Sequence, residues 1–198
     1  MTKDFKISVL VSGNGTNLQA LIDGISTGAL LGVEIAQVIS NRKDAYGLKR
    51  AEIAKIPGYL IEKGLGGILM EENESLFKIL ELEKPDLIVL AGYLRKIEDP
   101  VLSAYKNRII NIHPALLPKY GGPGFYGLKV HEAVIRAGEK ESGATVHYVD
   151  EELDTGRIIL QEKVAVDTSD TPEALAKKVL VLEHRLIVEA VNIIANRK

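Results

Sequence analysis

The 198-residue chain is long enough for one domain that buries most of the surface exposed by its unfolded form. Its 46% apolar and 26% charged content is ordinary for a globular protein, and its net charge of −2 argues against a broad surface for nucleic acid or anionic membrane. The absence of cysteine excludes disulfides, thiolate nucleophiles and cysteine-based metal sites. We see no signal-peptide h-region and no apolar run of the roughly 20 residues that a membrane helix needs, so we expect a single cytoplasmic domain over residues 1–198.

A glycine-rich turn at residues 12–17 directly follows the first predicted strand, residues 7–11, and precedes apolar residues at helical spacing. Glycines allow close backbone approach, and a helix N-terminus offers free N–H groups and a partial positive charge. This indicates a phosphate site formed by Gly13, Asn14, Gly15, Thr16 and Asn17. The alternative is a tight turn in which Thr16 or Asn17 caps the helix, because the third glycine of a dinucleotide fingerprint and the lysine of a P-loop are both missing.

Further strands alternate with helices through the first half of the chain. Strands are predicted over residues 33–40, 59–61 and 87–91, helices over residues 45–55, 70–83 and 99–105, and a loop at residues 64–67. This alternation predicts an α/β fold with a doubly wound, mostly parallel sheet. In such a sheet the loops that begin near residues 12, 40, 92 and 111 lie along one rim, where ligands bind.

Asn111 and His113 follow an apolar run that predicts the end of a buried strand. They are two residues apart, so on an extended backbone their side chains point the same way, and Pro114 ends the strand. An amide and an imidazole suit a reaction in which a carbonyl becomes an oxyanion and a proton then moves.

The second half of the chain predicts a loop over residues 119–127, a helix over 127–137 and two strands over 143–149 and 158–166. The short connection between these strands predicts an antiparallel pair near the C-terminus. A long final helix is expected to begin with Thr171 as its N-cap and Pro172 at its first position.

Asp154, in the loop at residues 150–156, is a possible partner for His113, although spacing alone favours an ordinary turn aspartate. Among the other histidines, we expect His131 to be solvated and His184 to lie on a surface face, while His147 faces either the site or the core. A two-histidine, one-carboxylate metal set is a further alternative, but it leaves the amide without a role, so we expect no metal.

Residues 12–20, 111–120 and 143–156 together resemble the glycinamide ribonucleotide formyltransferases. The block Asn-Ile-His-Pro-x-Leu-Leu-Pro marks the wider 10-formyltetrahydrofolate-dependent family, and the glycine-rich opening and the length narrow it to the purine-pathway members. The extra domains of the methionyl-tRNA formyltransferases and the formyltetrahydrofolate hydrolases are not expected here. The resemblance implies a Rossmann-like formyltransferase fold, with 10-formyltetrahydrofolate as co-substrate and glycinamide ribonucleotide as substrate. We expect a monomer or homodimer.

The resemblance also implies roles for individual positions. The catalytic trio is Asn111, His113 and Asp154. The ribonucleotide contacts, with Glu183 as the polar one of the second stretch, are Gly13, Asn14, Gly15, Thr16, Asn17, Leu180, Val181, Leu182 and Glu183. The folate contacts are Leu94, Arg95, Lys96, Ile97, Asn111, Asp150, Glu151, Glu152, Leu153 and Asp154. Arg108 matches a position that is often basic in the family.

Two departures from the family pattern stand out. Several relatives carry a folate-binding arginine where this chain has Leu69, and the segment at residues 121–129 is longer and richer in glycine. Two other functions stay open: formyl transfer to another amine, such as an amino-sugar nucleotide, and a non-catalytic nucleotide-binding module. The second leaves the trio unexplained.

Overall fold

The computed structural model describes residues 5–61 and 72–196. The strands are β1 (Phe5–Val11), β2 (Val33–Ser40), β3 (Gly58–Leu60), β4 (Leu87–Leu90), β5 (Ile109–His113), β6 (Glu141–Tyr148) and β7 (Ile158–Ala165). The helices are α1 (Thr16–Ser26), α2 (Tyr46–Ile53), α3 (Glu72–Glu83), α4 (Val101–Ala104), α5 (Leu128–Arg136) and α6 (Pro172–Ala195). The predicted loop at residues 64–67, Leu69 and the predicted start of the helix at residue 70 lie outside the described residues.

The strands form one seven-stranded sheet in the order β3-β2-β1-β4-β5-β6-β7. The first five strands in this order pair in parallel, and β6 runs antiparallel to both β5 and β7. The predicted doubly wound sheet and its antiparallel pair are therefore confirmed. The antiparallel register places Asn111 opposite His147, which brings two polar side chains to one rim.

Helices cover both faces of the sheet, which explains why the central strand β4 is apolar at every position and β1 is apolar from Val9 to Val11. On β1, Val9 packs into a cluster with residues of α1 and α6, whereas Leu10 packs with residues of α3 and α4 on the opposite face. Strands buried on both faces need apolar side chains at successive positions. The short connections lie at the rim of the sheet, at the carboxyl ends of these strands. They carry the polar residues.

The ends of two helices test the capping predictions. Thr171 caps α6 as predicted: its side-chain oxygen accepts a hydrogen bond from the N–H of Ala174 at 3.2 Å, and Pro172 is the first helical residue. The alternative in which Thr16 or Asn17 caps α1 is wrong, because Gly15 occupies the N-cap position with φ 72°. A left-handed glycine lets the helix begin at Thr16, so Asn17 lies inside the first turn and its side chain is free for other contacts.

Element boundaries differ modestly from the predictions. The predicted helix at residues 99–105 is only the four-residue α4. Among the described residues, no helix combines the length and the apolar character needed to cross a membrane.

Candidate active site

A cavity of about 920 Å³ lies at the carboxyl ends of the parallel strands. It is lined by residues that follow β2 and β4, by the end of β5, by residues 122–127, by part of the loop between β6 and β7, and by residues of α5 and α6. Asn111 and His113 both contribute to its wall, as expected for side chains two apart on one strand.

The His113 imidazole lies between a carbonyl and a carboxylate. Its Nε2 is 2.7 Å from the carbonyl oxygen of Tyr120, and its Nδ1 is 3.6 Å from Oδ2 of Asp154. A carbonyl can only accept a hydrogen bond, so Nε2 carries a proton and donates it. Nδ1 then faces the carboxylate with a lone pair in the neutral ring and with a proton in the imidazolium. Asp154 thus stabilises the charged form of His113.

Burial opposes that charge. The buried environment lowers the pKa of His113 below its usual value, and the Asp154 carboxylate and the Tyr120 carbonyl offset this only in part. Near neutral pH the neutral ring is therefore favoured. A negative charge that develops beside Nδ1 raises the pKa again, so protonation of His113 is coupled to the charge in the cleft.

Asp154 is held by backbone as well as by side chains. Its φ is 60°, and its Oδ2 accepts a hydrogen bond from the N–H of Gly122 at 2.8 Å. A Cβ on Gly121 would lie 2.6 Å from a methyl of Leu117 and 3.1 Å from Cβ of Asp154, so a larger residue there would displace the loop. Burial raises the pKa of Asp154, but its contacts with His147, His113 and Gly122 outweigh this and the pKa is lowered, which favours the carboxylate.

His147 orients the amide of Asn111. Its Nδ1 donates to the carbonyl of Tyr148 at 2.9 Å, so in the neutral ring Nε2 is an acceptor. The amide nitrogen of Asn111 lies 3.1 Å from this Nε2 and 3.4 Å from Oδ1 of Asp154. The longer contact to Asp154 is the weaker one, and a substrate oxygen can replace it. The sequence left open whether His147 faces the site or the core, and in the structure it lines the site cavity.

A second polar pair lies where α1 meets α6. The side-chain nitrogen of Asn17 donates to Oε2 of Glu183 at 2.8 Å, and both residues line the cavity. Burial raises the pKa of Glu183, while the bond from Asn17 opposes this. Oδ1 of Asn17 is buried and has no hydrogen-bond partner among the described residues. Such an unpaired acceptor is a site for a ligand donor.

The other predicted ribonucleotide contacts divide into two groups. Leu180 lines the cavity, whereas Leu182 does not and Val181 is 67% exposed. The turn residues Gly13, Asn14, Gly15 and Thr16 are also outside the lining, although they adjoin Asn17. The structure therefore brings only Asn17, Leu180 and Glu183 of this set into the cavity.

Most of the predicted folate contacts share the cavity wall. Those that line it are Leu94, Arg95, Lys96, Ile97, Asn111, Asp150, Glu152, Leu153 and Asp154, and Glu151 is outside the lining. Lys96, Asp150 and Glu152 lie near apolar Ile97 and Leu153, so this wall combines charge with a surface for a flat ring. Arg108 donates to the carbonyl of Ala104 and does not line the cavity.

Two histidine predictions are wrong. His131 is only 3% exposed and lines the cavity, because it lies one helical turn from the buried Val134 on α5. Burial, with a smaller contribution from the charge on His113, lowers its pKa to about 4. His184 is half-buried rather than on the surface, and its Nε2 has no partner among the described residues. The helical spacing from His131 to Val134 and Ile135 was the signal that could have placed His131.

Several known proteins are similar to this chain in sequence and in structure. A family model described as formyl transferase matches residues 5–191. A phosphoribosylglycinamide formyltransferase from Haemophilus influenzae is 40% identical over 181 residues, which are 91% of this chain and 82% of that protein. The chain belongs to the phosphoribosylglycinamide formyltransferase family. The resemblance found in the sequence is thereby confirmed.

Other members of the family agree. A chloroplastic phosphoribosylglycinamide formyltransferase from Arabidopsis thaliana is 42% identical over 197 residues, or 98% of this chain. The crystal structure of glycinamide ribonucleotide transformylase 1 from Symbiobacterium toebii matches with a TM-score of 0.90 and 39% identity, covering 99% of this chain and 90% of that one. The chain spans 66% of the Arabidopsis protein and 19% of a chicken trifunctional purine biosynthetic protein.

Within residues 5–61 and 72–196, no three His, Asp or Glu side chains form a group that could hold a metal ion.

Proposed function

We propose that this protein transfers the formyl group of 10-formyltetrahydrofolate to the primary amine of glycinamide ribonucleotide (5′-phosphoribosylglycinamide). The products are formylglycinamide ribonucleotide and tetrahydrofolate. Support comes from family membership and from one observation above the others: Nδ1 of His113 faces Asp154 at 3.6 Å, beside the Asn111 amide, on the wall of a cavity large enough for two substrates.

The chemistry needs no covalent intermediate with the protein, because the substrate amine is the nucleophile. It attacks the formyl carbon, and the formyl oxygen becomes an oxyanion. The Nδ1–H of His113 and the amide N–H of Asn111 donate to this oxygen. The new negative charge raises the pKa of His113, so the ring takes up the proton that the attacking amine loses.

The proton balance follows from the reaction. The attacking amine loses one proton, and N10 of the folate gains one as its bond to the formyl carbon breaks. His113 takes this proton from the amine and releases it to N10, and Asp154, whose lowered pKa keeps it ionised, stabilises the imidazolium and helps to move the proton through water. Alignment of the two substrates in one cavity supplies further acceleration, up to about 7–11 kcal/mol in well-oriented intramolecular reactions.

The two substrates occupy different parts of the rim. The ribonucleotide phosphate sits on the turn at residues 13–17, and Oδ1 of Asn17 together with Glu183 holds the polar part of the glycinamide. The pterin of the folate lies against residues 94–97 and the loop between β6 and β7. The protein acts without a metal, as a monomer or homodimer in the cytoplasm; these three points rest on the sequence alone.

A spectrophotometric assay of tetrahydrofolate release tests the function. Purified protein and 10-formyltetrahydrofolate should release tetrahydrofolate only when glycinamide ribonucleotide is added, and mass spectrometry should show the ribonucleotide gaining one formyl group. The matched control is glycinamide without the phosphoribosyl group. Release with an amino-sugar nucleotide but not with glycinamide ribonucleotide would select the rival formyltransferase. A titration that detects no folate binding would instead favour a nucleotide-binding module.

A further inference from the structure

We infer that Arg50 of α2 is a positioning residue that holds the phosphate turn, residues 13–17, in its anion-binding conformation. This rests on the proposed role of that turn in ribonucleotide binding. Sequence patterns assign no role to Arg50, because it lies on a different helix, 36 residues after Asn14. Its contacts with Asn14 and Gln19 indicate the new role.

Two successive carbonyls of the turn accept hydrogen bonds from α2. The carbonyl of Gly13 accepts from the N–H of Gly47 at 3.1 Å, and the carbonyl of Asn14 accepts from Nε of Arg50 at 2.8 Å. In a trans peptide the C=O and the following N–H point in opposite directions. The N–H groups of Asn14 and Gly15 therefore point away from α2. Neither donates to another protein group among the described residues, so both stay free for an anion.

Three hydrogen bonds and one aromatic ring hold the guanidinium of Arg50 in place. Besides its bond to the Asn14 carbonyl, Nη2 donates to Oδ1 of Asn14 at 2.8 Å and Nη1 donates to Oε1 of Gln19 at 2.9 Å. The ring of Tyr46 lies 5.0 Å from the guanidinium carbon, within the range of a cation–π contact. A planar fork makes all of these contacts at once, and a lysine ammonium cannot reproduce them.

Two glycines allow α2 to approach the turn closely enough for these bonds. A Cβ on Gly15, whose φ is +72°, would lie 2.8 Å from Cα of Gly47. A Cβ on Gly47 would lie 2.8 Å from a methyl of Val11. The start of α2 is thus packed directly on the turn, and Arg50, one turn further along the helix, reaches back to it.

Arg50 also places a positive charge beside the free N–H groups. Donation from a cation to the Asn14 carbonyl polarises that peptide and makes the Gly15 N–H a stronger donor. The neighbouring Lys49 carries the same charge but donates to Glu52 at 2.9 Å, away from the turn. Lys49 is therefore a matched control for loss of charge on the same helix.

The test compares Arg50→Met, Arg50→Lys and Lys49→Met with wild type in two measurements. The first is calorimetric titration with inorganic phosphate, and the second is steady-state kinetics with both substrates. Arg50→Met should raise the phosphate Kd and the apparent KM for the ribonucleotide about tenfold, the factor typical of one lost hydrogen bond to a charged group. Its kcat and its KM for folate should stay within about twofold of wild type, and Arg50→Lys should recover only part of the loss.

The outcomes separate this inference from the proposed function. Equal effects of Arg50→Met and Lys49→Met, full recovery in Arg50→Lys, or no phosphate binding by wild type would overturn the role of Arg50. A wild type that binds phosphate but does not formylate glycinamide ribonucleotide would overturn the proposed function alone, and the phosphate Kd of Arg50→Met would still decide the role of Arg50. If Arg50→Met has unchanged kinetics while wild type turns over normally, Arg50 has no role in ribonucleotide binding and the proposed function still stands.

Discussion

Two opposite effects act on the pKa of the His113 ring. Burial favours its neutral form, while the carboxylate of Asp154 at 3.6 Å favours the imidazolium. The effect of burial is the larger one, so the pKa of His113 lies below its usual value. This suits a residue that must take up a proton as an oxyanion forms and release it when the oxyanion collapses.

We expect Asp154→Asn to lower the pKa of His113 further, because the amide removes the nearby charge that raises it. The imidazolium would then form only at a lower pH. An NMR titration of the His113 ring signals in the empty protein measures this directly. The control is Glu151→Gln, on the same loop but outside the cavity wall. A pKa that is equal in Asp154→Asn and wild type would show that the carboxylate does not act on the ring.

Sequence spacing predicted part of this site. Asn111 and His113 were identified by their two-residue spacing before a proline, since strand geometry alone sets the direction of their side chains. Asp154 was recognised only by resemblance, because its position depends on a left-handed loop residue that no local pattern encodes. The Tyr120 carbonyl could not be predicted, since a backbone partner depends on the path of the whole loop from residue 114 to 127.

At the scale of single elements, the strands and helices followed from apolar periodicity, and the errors lie at their ends. A cap of α1 by Thr16 or Asn17 was left open because both are good capping residues, whereas the left-handed Gly15 takes the position instead. Asn17 thereby contacts Glu183, a residue 166 positions away, which local sequence cannot indicate. The α6 cap was predicted correctly because threonine, proline and glutamate at residues 171–173 agree with one another.

The Thr171 cap should contribute measurably to stability. Thr171→Ala removes the acceptor for the Ala174 N–H, and we expect the free energy of unfolding to fall by about 1 kcal/mol. Urea denaturation followed by circular dichroism measures the change. Thr171→Ser keeps the hydroxyl and should lose much less. Equal midpoints for Thr171→Ala and wild type would mean that the cap does not stabilise α6.

For the whole molecule, topology accounts for the location of the site. Parallel strands with short connections bring the residues after β1, β2 and β4 to one rim: Ser12 donates to Asn41 at 2.7 Å and accepts from the N–H of Leu94 at 2.9 Å. The sequence predicted this convergence from connectivity rules. It did not predict which residues of each loop line the cavity, because that depends on how α5 and α6 pack across the opening.

The buried His131 should make the fold sensitive to acid. Burial lowers its pKa to about 4, so between about pH 6.5 and pH 4 the unfolded chain binds more protons than the folded one. Stability therefore falls as the pH falls through this window, by on the order of 3 kcal/mol from this residue. Denaturation of wild type and His131→Gln at several pH values measures it. The free energy of unfolding of wild type, relative to that of His131→Gln, should fall as the pH is lowered from about 6.5 to 4. A difference between the two proteins that does not change with pH would contradict the lowered pKa of His131.

In the proposed mechanism His113 and Asp154 act as one unit on the formyl group, and a double-mutant cycle on kcat is the decisive test of this claim. His113→Ala and Asp154→Asn should each lower kcat on the order of 100- to 1,000-fold while the fold is retained. The double variant should be no slower than about the worse single variant, because either change already disables the pair. A double variant whose loss equals the product of the two single losses, or wild-type turnover in either single variant, would contradict the claim.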